Sequence, residues 1–454
     1  MRTRIKFPFV ALAALAVFAV SGVASPAKAA GFYLGEQDSV ASGRGLAVTA
    51  KLDEPSTIFF NPAGMAFLEG INVSAGFTAV FPYFNYSDPM GKRPSAKASR
   101  KEVWDPHLYA TYTLGKKAAI GIGFNVPFGM VMDWGKKWAG TTQIQKIDLK
   151  MPTFYFGAAV RPISQLAIGV SLRVVQAAVT LERGFDLVDS NGDPSLGGIK
   201  MSTDAVGFGA GLGITARPLD WLHIGFNYLS RVNFDFNNGE GKFTLPKGFD
   251  NSIFHDQKGT TRITTPDAIA FGLGFDIRKD VTLELDYNLM MWSSYKDLTI
   301  TFASDPTGQL SKPQIKNWKN ASSVRLGGEY RWKDTVAVRA SFVWDQTPAP
   351  ANTLSPDLPD SSRLVGSVGV GYRHPKIGVK IDTYLMFSYF LPREVKSDVN
   401  PIFPAKYDAY AVLFGLTVGY GSPHKAEPPP PPVVPPACES TPAPAGGAAA
   451  APGA

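Results

Sequence analysis

The residues of this chain that could perform chemistry do not form a catalytic or metal-binding pattern. The five histidines are scattered, and the one cysteine, Cys438, rules out an intrachain disulfide and argues against a cysteine-based metal site. The glycines of residues 121–123 and 207–213 recur at every second position and lack the G-x-x-x-x-G-K-[ST] pattern. They therefore indicate the small face of a strand and not a phosphate loop. No G-x-S-x-G elbow is present, so we expect no enzymatic activity, no metal and no cofactor.

Charged residues offer no clear site either. Glu284 and Asp286 share one side of a predicted strand, where a solvated, charged wall is the ordinary explanation. The formal net charge of +7 falls to about +3 without the four basic residues of the first 29 positions. That balance gives no reason to expect a nucleic acid partner.

The composition is typical of strands that cross a membrane. The 454 residues are 45% hydrophobic and 18% charged, and they include 45 glycines, 30 phenylalanines and 16 tyrosines. Small residues and aromatic residues in these proportions suit a barrel whose strands carry aromatic girdles.

Residues 1–29 have the features of a secretory signal peptide. Three basic residues precede the apolar stretch from Phe7 to Val23, and Ala27-Lys28-Ala29 supplies a small-x-small cleavage site. An uncleaved membrane anchor is the alternative. No further run of 18 or more apolar residues follows, which favours an exported protein of the bacterial outer membrane.

Alternation of apolar and polar residues predicts about 14 membrane-crossing strands between residues 71 and 421. The predicted strands are 71–86, 103–114, 118–129, 147–160, 166–183, 201–216, 221–236, 263–277, 281–295, 321–332, 335–346, 362–373, 376–392 and 406–420. Short and long connections alternate, as expected for short periplasmic turns and long external loops, and an even count returns both termini to the periplasm. The predicted fold is therefore all-β, a transmembrane antiparallel β-barrel over residues 71–421.

All eight tryptophans fall at or near the ends of predicted strands, as expected for side chains at the membrane interface. They are Trp104, Trp134, Trp138, Trp221, Trp292, Trp318, Trp332 and Trp344. A soluble sandwich would bury tryptophan in the middle of strands, so this distribution favours the barrel.

Residues 30–70 do not alternate, and we expect them to form an N-terminal hatch in the barrel lumen. A barrel of about 14 strands is too wide for its own side chains to fill, and the apolar side chains of this segment need a place to be buried. Residues 46–50 could form one or two helical turns, and residues 53–56 resemble a helix start. A periplasmic linker is the alternative. Residues 422–454 are rich in proline and alanine and are predicted to form a disordered periplasmic tail of unknown role.

Two short motifs suggest how the elements are arranged. Asn61-Pro62-Ala63-Gly64 interrupts regular structure near the end of the hatch. Asn125-Val126-Pro127-Phe128-Gly129 places a proline in the third predicted strand, where it cannot donate to the ladder. Either the strand bends there and leaves a gap in the barrel wall, or Pro127 merely ends it.

Together with the expected mature start, Ala30-Gly31-Phe32, these two motifs resemble the FadL family of outer-membrane transporters for long-chain fatty acids and other hydrophobic compounds. The likeness extends from about residue 30 to 420. Further matching segments are Trp138-Ala139-Gly140, Trp292-Ser293-Ser294-Tyr295, Asn317-Trp318, Val324-Arg325-Leu326-Gly327-Gly328-Glu329-Tyr330-Arg331, Asp345-Gln346-Thr347-Pro348, Pro359-Asp360-Ser361-Ser362-Arg363 and Gly369-Val370-Gly371-Tyr372-Arg373.

The resemblance implies passive uptake controlled by the hatch. A ligand caught on the external loops would pass to a pocket above the hatch motif Asn61–Gly64. A shift of the N-terminal gating segment, Gly31-Phe32-Tyr33, would then let it leave sideways through a lateral gate in the third strand, at Asn125, Pro127, Phe128 and Gly129. An alkyl chain gains about 0.8 kcal/mol per CH₂ by leaving water, so an exit into the bilayer is physically reasonable.

The sequence leaves the substrate open. Long-chain fatty acids come first, aromatic or alkane hydrocarbons by the same route are the alternative, and a diffusion pore for polar solutes or an adhesive surface protein are less favoured. Arg173, Arg183 and Arg339 are candidate partners for a fatty-acid carboxylate, although each could be an ordinary lumen or loop charge. We expect outer-membrane lipid, lipopolysaccharide and the barrel-assembly machinery as partners of a monomer. The family's barrel usually ends the chain at an aromatic residue, whereas Tyr420 is followed by 34 more residues.

Overall fold

The computed structural model describes residues 31–188, 192–247, 249, 254–305, 308 and 310–421. The predicted signal peptide at 1–29, the expected mature start at Ala30 and the predicted tail at 422–454 lie outside the described residues.

The barrel is built from antiparallel strands that follow one another along the chain. The strands are β1 (Ile71–Ser87), β2 (Ala96–Lys97), β3 (Val103–Leu114), β4 (Ala118–Asn125), β5 (Gly129–Asp133), β6 (Lys146–Lys150), β7 (Thr153–Ile163), β8 (Leu166–Val188), β9 (Pro194–Leu219), β10 (Leu222–Leu229), β11 (Asn233–Thr244), β12 (Gln257–Thr264), β13 (Ala268–Arg278), β14 (Val281–Met290), β15 (Asp297–Leu298), β16 (Ile300–Phe302), β17 (Gln314–Ile315), β18 (Ala321–Trp332), β19 (Val336–Asp345), β20 (Arg363–Arg373), β21 (Val379–Val395) and β22 (Ala405–Gly421). β1 pairs with β22 from Asn72↔Gly421 to Ser87↔Lys406, which closes the barrel. Closure pairs the backbone groups that an open sheet would leave exposed to lipid.

These elements make fourteen membrane-crossing strands within the described chain. Ten are single elements, and four are interrupted pairs: β4 with β5, β6 with β7, β10 with β11, and β12 with β13. The short strands β2, β15, β16 and β17 belong to the long connections. The predicted count of about 14 is confirmed. The predicted alternation of short turns with long loops fails between β8 and β9, because both strands extend beyond their predicted ends and only residues 189–193 lie between them.

The alternation of apolar and small or polar residues in the sequence corresponds to the outer and inner faces of the barrel wall. In β8, Ile168, Val170 and Leu172 are exposed on the outer face, whereas Ala167 and Ser171 are buried on the inner face. An apolar outer face is what lipid contact requires. Within the described residues, the model contains no helix with the length and apolar character needed to cross a membrane.

Residues 31–70 fill the lumen and contain two short helices, α1 (Ser39–Gly43) and α2 (Thr57–Phe60), followed by a 3₁₀ helix, Pro62–Phe67. Asp38 caps α1 by accepting a hydrogen bond from Ala41 N at 2.9 Å. The helical turn predicted at residues 46–50 is wrong. Leu46 has φ +62°, and the backbone N–H groups of residues 48–50 donate to carboxylates of the barrel wall instead of closing a helix.

The tryptophans divide into two groups. Trp104, Trp221, Trp332 and Trp344 are 38–56% exposed at strand ends, as predicted for interface residues. The interface interpretation is wrong for the others, because Trp134, Trp138, Trp292 and Trp318 are buried in a hydrophobic cluster at the end of the barrel that carries the long loops.

Candidate ligand site at an opening in the barrel wall

The third membrane-crossing strand is interrupted where the sequence contains Pro127. β4 ends at Asn125 and β5 begins at Gly129, so the strand predicted over 118–129 is interrupted at the proline and continues beyond it. β4 pairs with β3 as far as Leu108↔Phe124, and β5 pairs with β6. In the described part of the chain, residues 103–107 of β3 therefore have no strand partner on this side. We call the space between residues 103–107 and 129–133 the wall opening.

The N-terminal segment, residues 31–37, occupies hydrogen-bonding positions at this interruption. Leu34 N donates to the carbonyl oxygen of Pro127 at 2.8 Å, and Gly129 N donates to that of Phe32 at 3.1 Å. The interrupted backbone is thus paired with the hatch, and Phe128 O also accepts from Met151 N, between β6 and β7, at 3.0 Å.

Side chains extend this contact. Tyr33 and Phe128 form an antiparallel bridge, with ring centroids 5.3 Å apart. Gln37 Nε2 donates to Val126 O at 3.1 Å, and Val126 N donates to Gln37 Oε1 at 3.3 Å. The gating segment and the third-strand segment, predicted as separate sites, are therefore brought together.

Phe32 lies in an aromatic cage at the long-loop side of this contact. Its ring centroid is 4.7 Å from that of Trp292 and 6.0–6.1 Å from those of Phe128, Tyr295 and Trp318. Trp292 is fully buried. Edge-to-face contacts of this kind stabilise aromatic clusters, so the gating segment is held by apolar packing as well as by hydrogen bonds.

Gly31 is fixed beside the cage by a loop carboxyl. Its N–H donates to Asp360 Oδ2 at 3.4 Å, and the Thr347 hydroxyl donates to the same oxygen. Burial raises the pKa of Asp360 to about 6. Gly31 has φ +69°, and a Cβ there would overlap the Trp292 ring, so no larger residue fits.

A cavity of about 760 Å³, the large cavity hereafter, begins at this segment and passes through the wall opening. Its lining includes the buried Met132 and Leu149, and also Trp104, Gln176 and Ala178, which are exposed on the outer face. The volume is within the ~300–1,000 Å³ usual for small-molecule sites. Since the lining reaches both faces, the cavity connects the lumen with the surroundings of the barrel.

The hatch motif sits against glycines of the wall. Asn61 Nδ2 donates to Thr49 O at 2.7 Å and to Thr215 Oγ1 at 3.1 Å, and its Oδ1 accepts from Ala63 N at 3.2 Å. A Cβ at Gly213 would overlap Asn61 Oδ1. The small face predicted from the glycine spacing therefore makes room for the hatch backbone.

Pro62 and Gly64 are held just as closely. A Cβ at Gly169 of β8 would overlap the Pro62 backbone, and one at Gly64 would overlap Thr57 Oγ1. The Thr57 hydroxyl in turn donates to Asn61 O at 2.9 Å. The four motif residues thus form a compact turn fitted into the wall.

Two carboxylates of β14 hold the preceding part of the hatch. Asp286 Oδ2 accepts from Val48 N and Thr49 N at 3.0 Å each and from Thr49 Oγ1 at 2.6 Å. Glu284 accepts from Ala50 N at 2.6 Å and forms an ion pair with Arg44 at 2.8 Å. Both carboxylates are 0% exposed, so the solvated wall expected from the sequence is wrong. The spacing of two residues placed both acids on the lumen side of a strand, but it did not show which groups they would bind.

The three candidate arginines lie outside the lining of the large cavity. Arg339 is buried between Glu329 at 2.6 Å and Asp382 at 2.7 Å. Arg173 is buried and donates to Ser230 O, and Arg183 is half-buried in β8. Their role toward a carboxylate stays a prediction.

A cation that the sequence did not single out does line the large cavity. Arg363 pairs with Asp345 at 2.7 Å. Both residues belong to segments that matched the family pattern, but nothing in the sequence indicated that they form a pair.

Comparison with known proteins gives a consistent result. A family model described as outer membrane protein transport protein (OMPP1/FadL/TodX) matches residues 20–421. The long-chain fatty acid transport protein of Escherichia coli (strain K12) is 24% identical over 444 residues, covering 90% of this chain and 97% of that one. A FadL homologue of Pseudomonas aeruginosa has a TM-score of 0.74 at 18% identity, covering 86% of this chain and 100% of that one. The toluene transporter TodX of P. putida has a TM-score of 0.67 at 17% identity, with coverage of 87% and 99%.

Proposed function

Since this chain belongs to the family of outer membrane transport proteins that includes FadL and TodX, we propose that it takes up hydrophobic compounds passively across the outer membrane. The family description names transport and no catalytic activity. The proposed ligand is a long-chain fatty acid or another hydrophobic compound, and the proposed exit is sideways, through the wall opening.

The large cavity is the observation that carries this proposal. Its apolar lining at Phe32, Met132 and Leu149 suits an alkyl or aromatic group, and it runs to the outer face near Trp104. A ligand that follows this path can keep its apolar part against these side chains. Each CH₂ that avoids water contributes about 0.8 kcal/mol, which favours exit toward lipid over release into the periplasm.

The gating segment supplies the proposed control. Phe32 and Leu34 line the large cavity while their backbones pair with Gly129 and Pro127. A ligand that fills the large cavity would contact Phe32 and Leu34 directly. Ligand binding would therefore favour a state in which this segment has moved, because a ligand shifts an equilibrium by its differential affinity for the two states.

Two substrate classes share this route. A relative of this chain is named as a long-chain fatty acid transporter, and a structural neighbour as a toluene transporter. Fatty acids remain the first proposal and aromatic or alkane hydrocarbons the alternative. A diffusion pore for polar solutes is disfavoured because residues 31–70 occupy the lumen.

The experiment that tests the route closes the wall opening. Replacing Asn125–Gly129 with the alternating sequence Thr-Val-Thr-Val-Thr should let the third strand continue and pair with β3. We expect cells that carry this variant to lose uptake of labelled oleate and toluene, while the purified variant still binds both ligands. The control is Pro162→Val, which changes an exposed proline at the short-turn end of β7. Unchanged uptake by a folded Asn125–Gly129 variant would contradict the lateral route.

A further inference from the structure

Asp105 is a buried carboxyl without a partner on the wall of the large cavity. It lies on the lumen side of β3, within the part of that strand that borders the wall opening. Its exposure is 4%. Within the described residues, no hydrogen-bond donor or cation is bonded to its side chain.

The neighbours of Asp105 form hydrogen bonds with other groups, although His107 Nδ1 is buried without a partner among the described residues. Thr78, directly opposite on β1, donates its hydroxyl to Glu36 O at 2.6 Å. His107, two residues along β3, has Nε2 at 2.9 Å from Thr417 Oγ1. On the other side, pairing between β3 and β4 begins at Leu108, so no strand faces Asp105 there.

The cations that line the large cavity are each paired with another acid. The pairs are Lys101–Asp133 (2.7 Å), Lys150–Asp148 (3.4 Å) and Arg363–Asp345 (2.7 Å). A second carboxyl, that of Glu36, lines the same cavity. Lys101 and Lys150 keep 49% and 61% of their side chains exposed, so they lie at the solvent side of the cavity, and Asp105 is the buried polar group left to a ligand.

A carboxyl in this position needs a donor. Burying a polar group without a partner is unfavourable, and the loss is recovered when a donor reaches it. A hydroxyl or ammonium head group supplies such a donor, whereas an ionised fatty-acid carboxylate brings a like charge to a buried acid. The geometry thus discriminates between head groups attached to the same alkyl chain.

We propose that Asp105 binds the polar head of the transported compound, and that the preferred ligands are long-chain compounds with a hydrogen-bond-donating head, uncharged or cationic, and not fatty-acid anions. This inference rests on the proposed uptake of hydrophobic compounds through the wall opening, and it replaces the fatty-acid anion, the first ligand proposed above, with long-chain compounds that carry a donor head. Asp105 holds the head at the inner edge of the wall opening, while the apolar chain lies along the remainder of the cavity.

The test compares ligands with one chain length and different heads. The full-length protein in detergent, at about pH 8 where a carboxylic acid is ionised, is titrated with labelled hexadecanol, palmitate and hexadecane. We expect hexadecanol to bind about tenfold more tightly than palmitate. Asp105→Leu should reduce this preference to about twofold or less and leave hexadecane binding unchanged.

Two further variants make the result interpretable. Asp105→Asn keeps an acceptor of the same shape without the charge, so hexadecanol binding should persist while palmitate binding tightens severalfold. Asp408→Asn, an exposed acid of β22, should behave as wild type. Equal affinities of the wild-type protein for hexadecanol and palmitate, or an Asp105→Asn variant with unchanged palmitate affinity, would overturn the role of Asp105. Failure of all three ligands to bind, hexadecane included, would instead overturn the proposed function.

Discussion

Replacing Asp286 with alanine should loosen the hatch from the barrel wall. One carboxylate oxygen accepts three hydrogen bonds from Val48 and Thr49, at 2.6–3.0 Å. Hydrogen bonds to a charged group contribute about 1.5–3 kcal/mol each. Three bonds to one atom are not additive, and removing Asp286 also relieves repulsion with Glu284. We therefore take about 3 kcal/mol as the net loss.

That loss corresponds to about a hundredfold change in an equilibrium, at about 1.4 kcal/mol per factor of ten. If hatch release opens a water-filled path, open events in single-channel recordings of the reconstituted protein should become about a hundredfold more frequent. The conductance of each event should be that of a variant lacking residues 30–64, which we expect to be a permanently leaky channel. Planar bilayers give both quantities directly.

Two controls separate loss of the hydrogen bonds from general damage. Asp286→Asn keeps an acceptor and should give an intermediate frequency of open events. Asp280→Ala removes an acid from the short turn before β14, where its ion pair with Arg278 is exposed, and should resemble wild type. A correctly folded Asp286→Ala protein with wild-type recordings would refute the reasoning that this carboxylate anchors the hatch.

Two other perturbations follow from the same contacts. Gly213→Val should displace Asn61 and raise the leak conductance, whereas Gly366→Ala should not, because a Cβ there has Ser341 O at 4.0 Å as its nearest neighbour. Asp360→Ala should mobilise the gating segment, measured by a nitroxide label at residue 33 in a background lacking the native cysteine, while Asp360→Asn, which keeps an acceptor without the charge, should resemble the wild-type protein at about pH 5. Burial raises the pKa of Asp360 to about 6, whereas the Gly31 N–H favours the charged form, so the Gly31 hydrogen bond weakens as Asp360 is protonated when the pH falls through 6. The nitroxide label in the protein with Asp360 unchanged should therefore be more mobile at about pH 5 than at pH 8. A spectrum that does not change with pH would contradict a role of the Gly31–Asp360 hydrogen bond in holding the gating segment.

The parts of the fold that depend on local pattern could be predicted from the sequence. Alternation in segments such as residues 166–174 identifies a wall strand because each residue's face follows from its position. The proline at position 127 indicated an interruption because proline cannot donate to a ladder. The glycines at 207–213 indicated a small face for the same positional reason. Each of these inferences needs no knowledge of distant residues.

The candidate site could not be predicted in the same way, because its partners are remote in the chain. Arg44 and Glu284 are 240 residues apart, and Gly31 and Asp360 are 329 apart. The sequence does not show which acid a given arginine will pair with. Arg339 was therefore proposed as a ligand contact, although Glu329 and Asp382 surround it. Asp105 was overlooked because only the three-dimensional structure shows that a carboxyl lacks a partner.

The contacts of residues 31–70 divide the hatch into two parts of unequal strength. Arg44 and the backbone of residues 48–50 are held by the fully buried carboxylates of Glu284 and Asp286, where such bonds are strongest, and the hatch motif is fitted into glycines. Residues 31–37 are held mainly by neutral hydrogen bonds to the interrupted strand, each contributing about 1 kcal/mol, and by the packing of Phe32. A ligand in the large cavity touches the second part and not the first. In the proposed mechanism it therefore releases the weaker part while the stronger part keeps the lumen closed, so that sideways exit need not be accompanied by a leak to the periplasm.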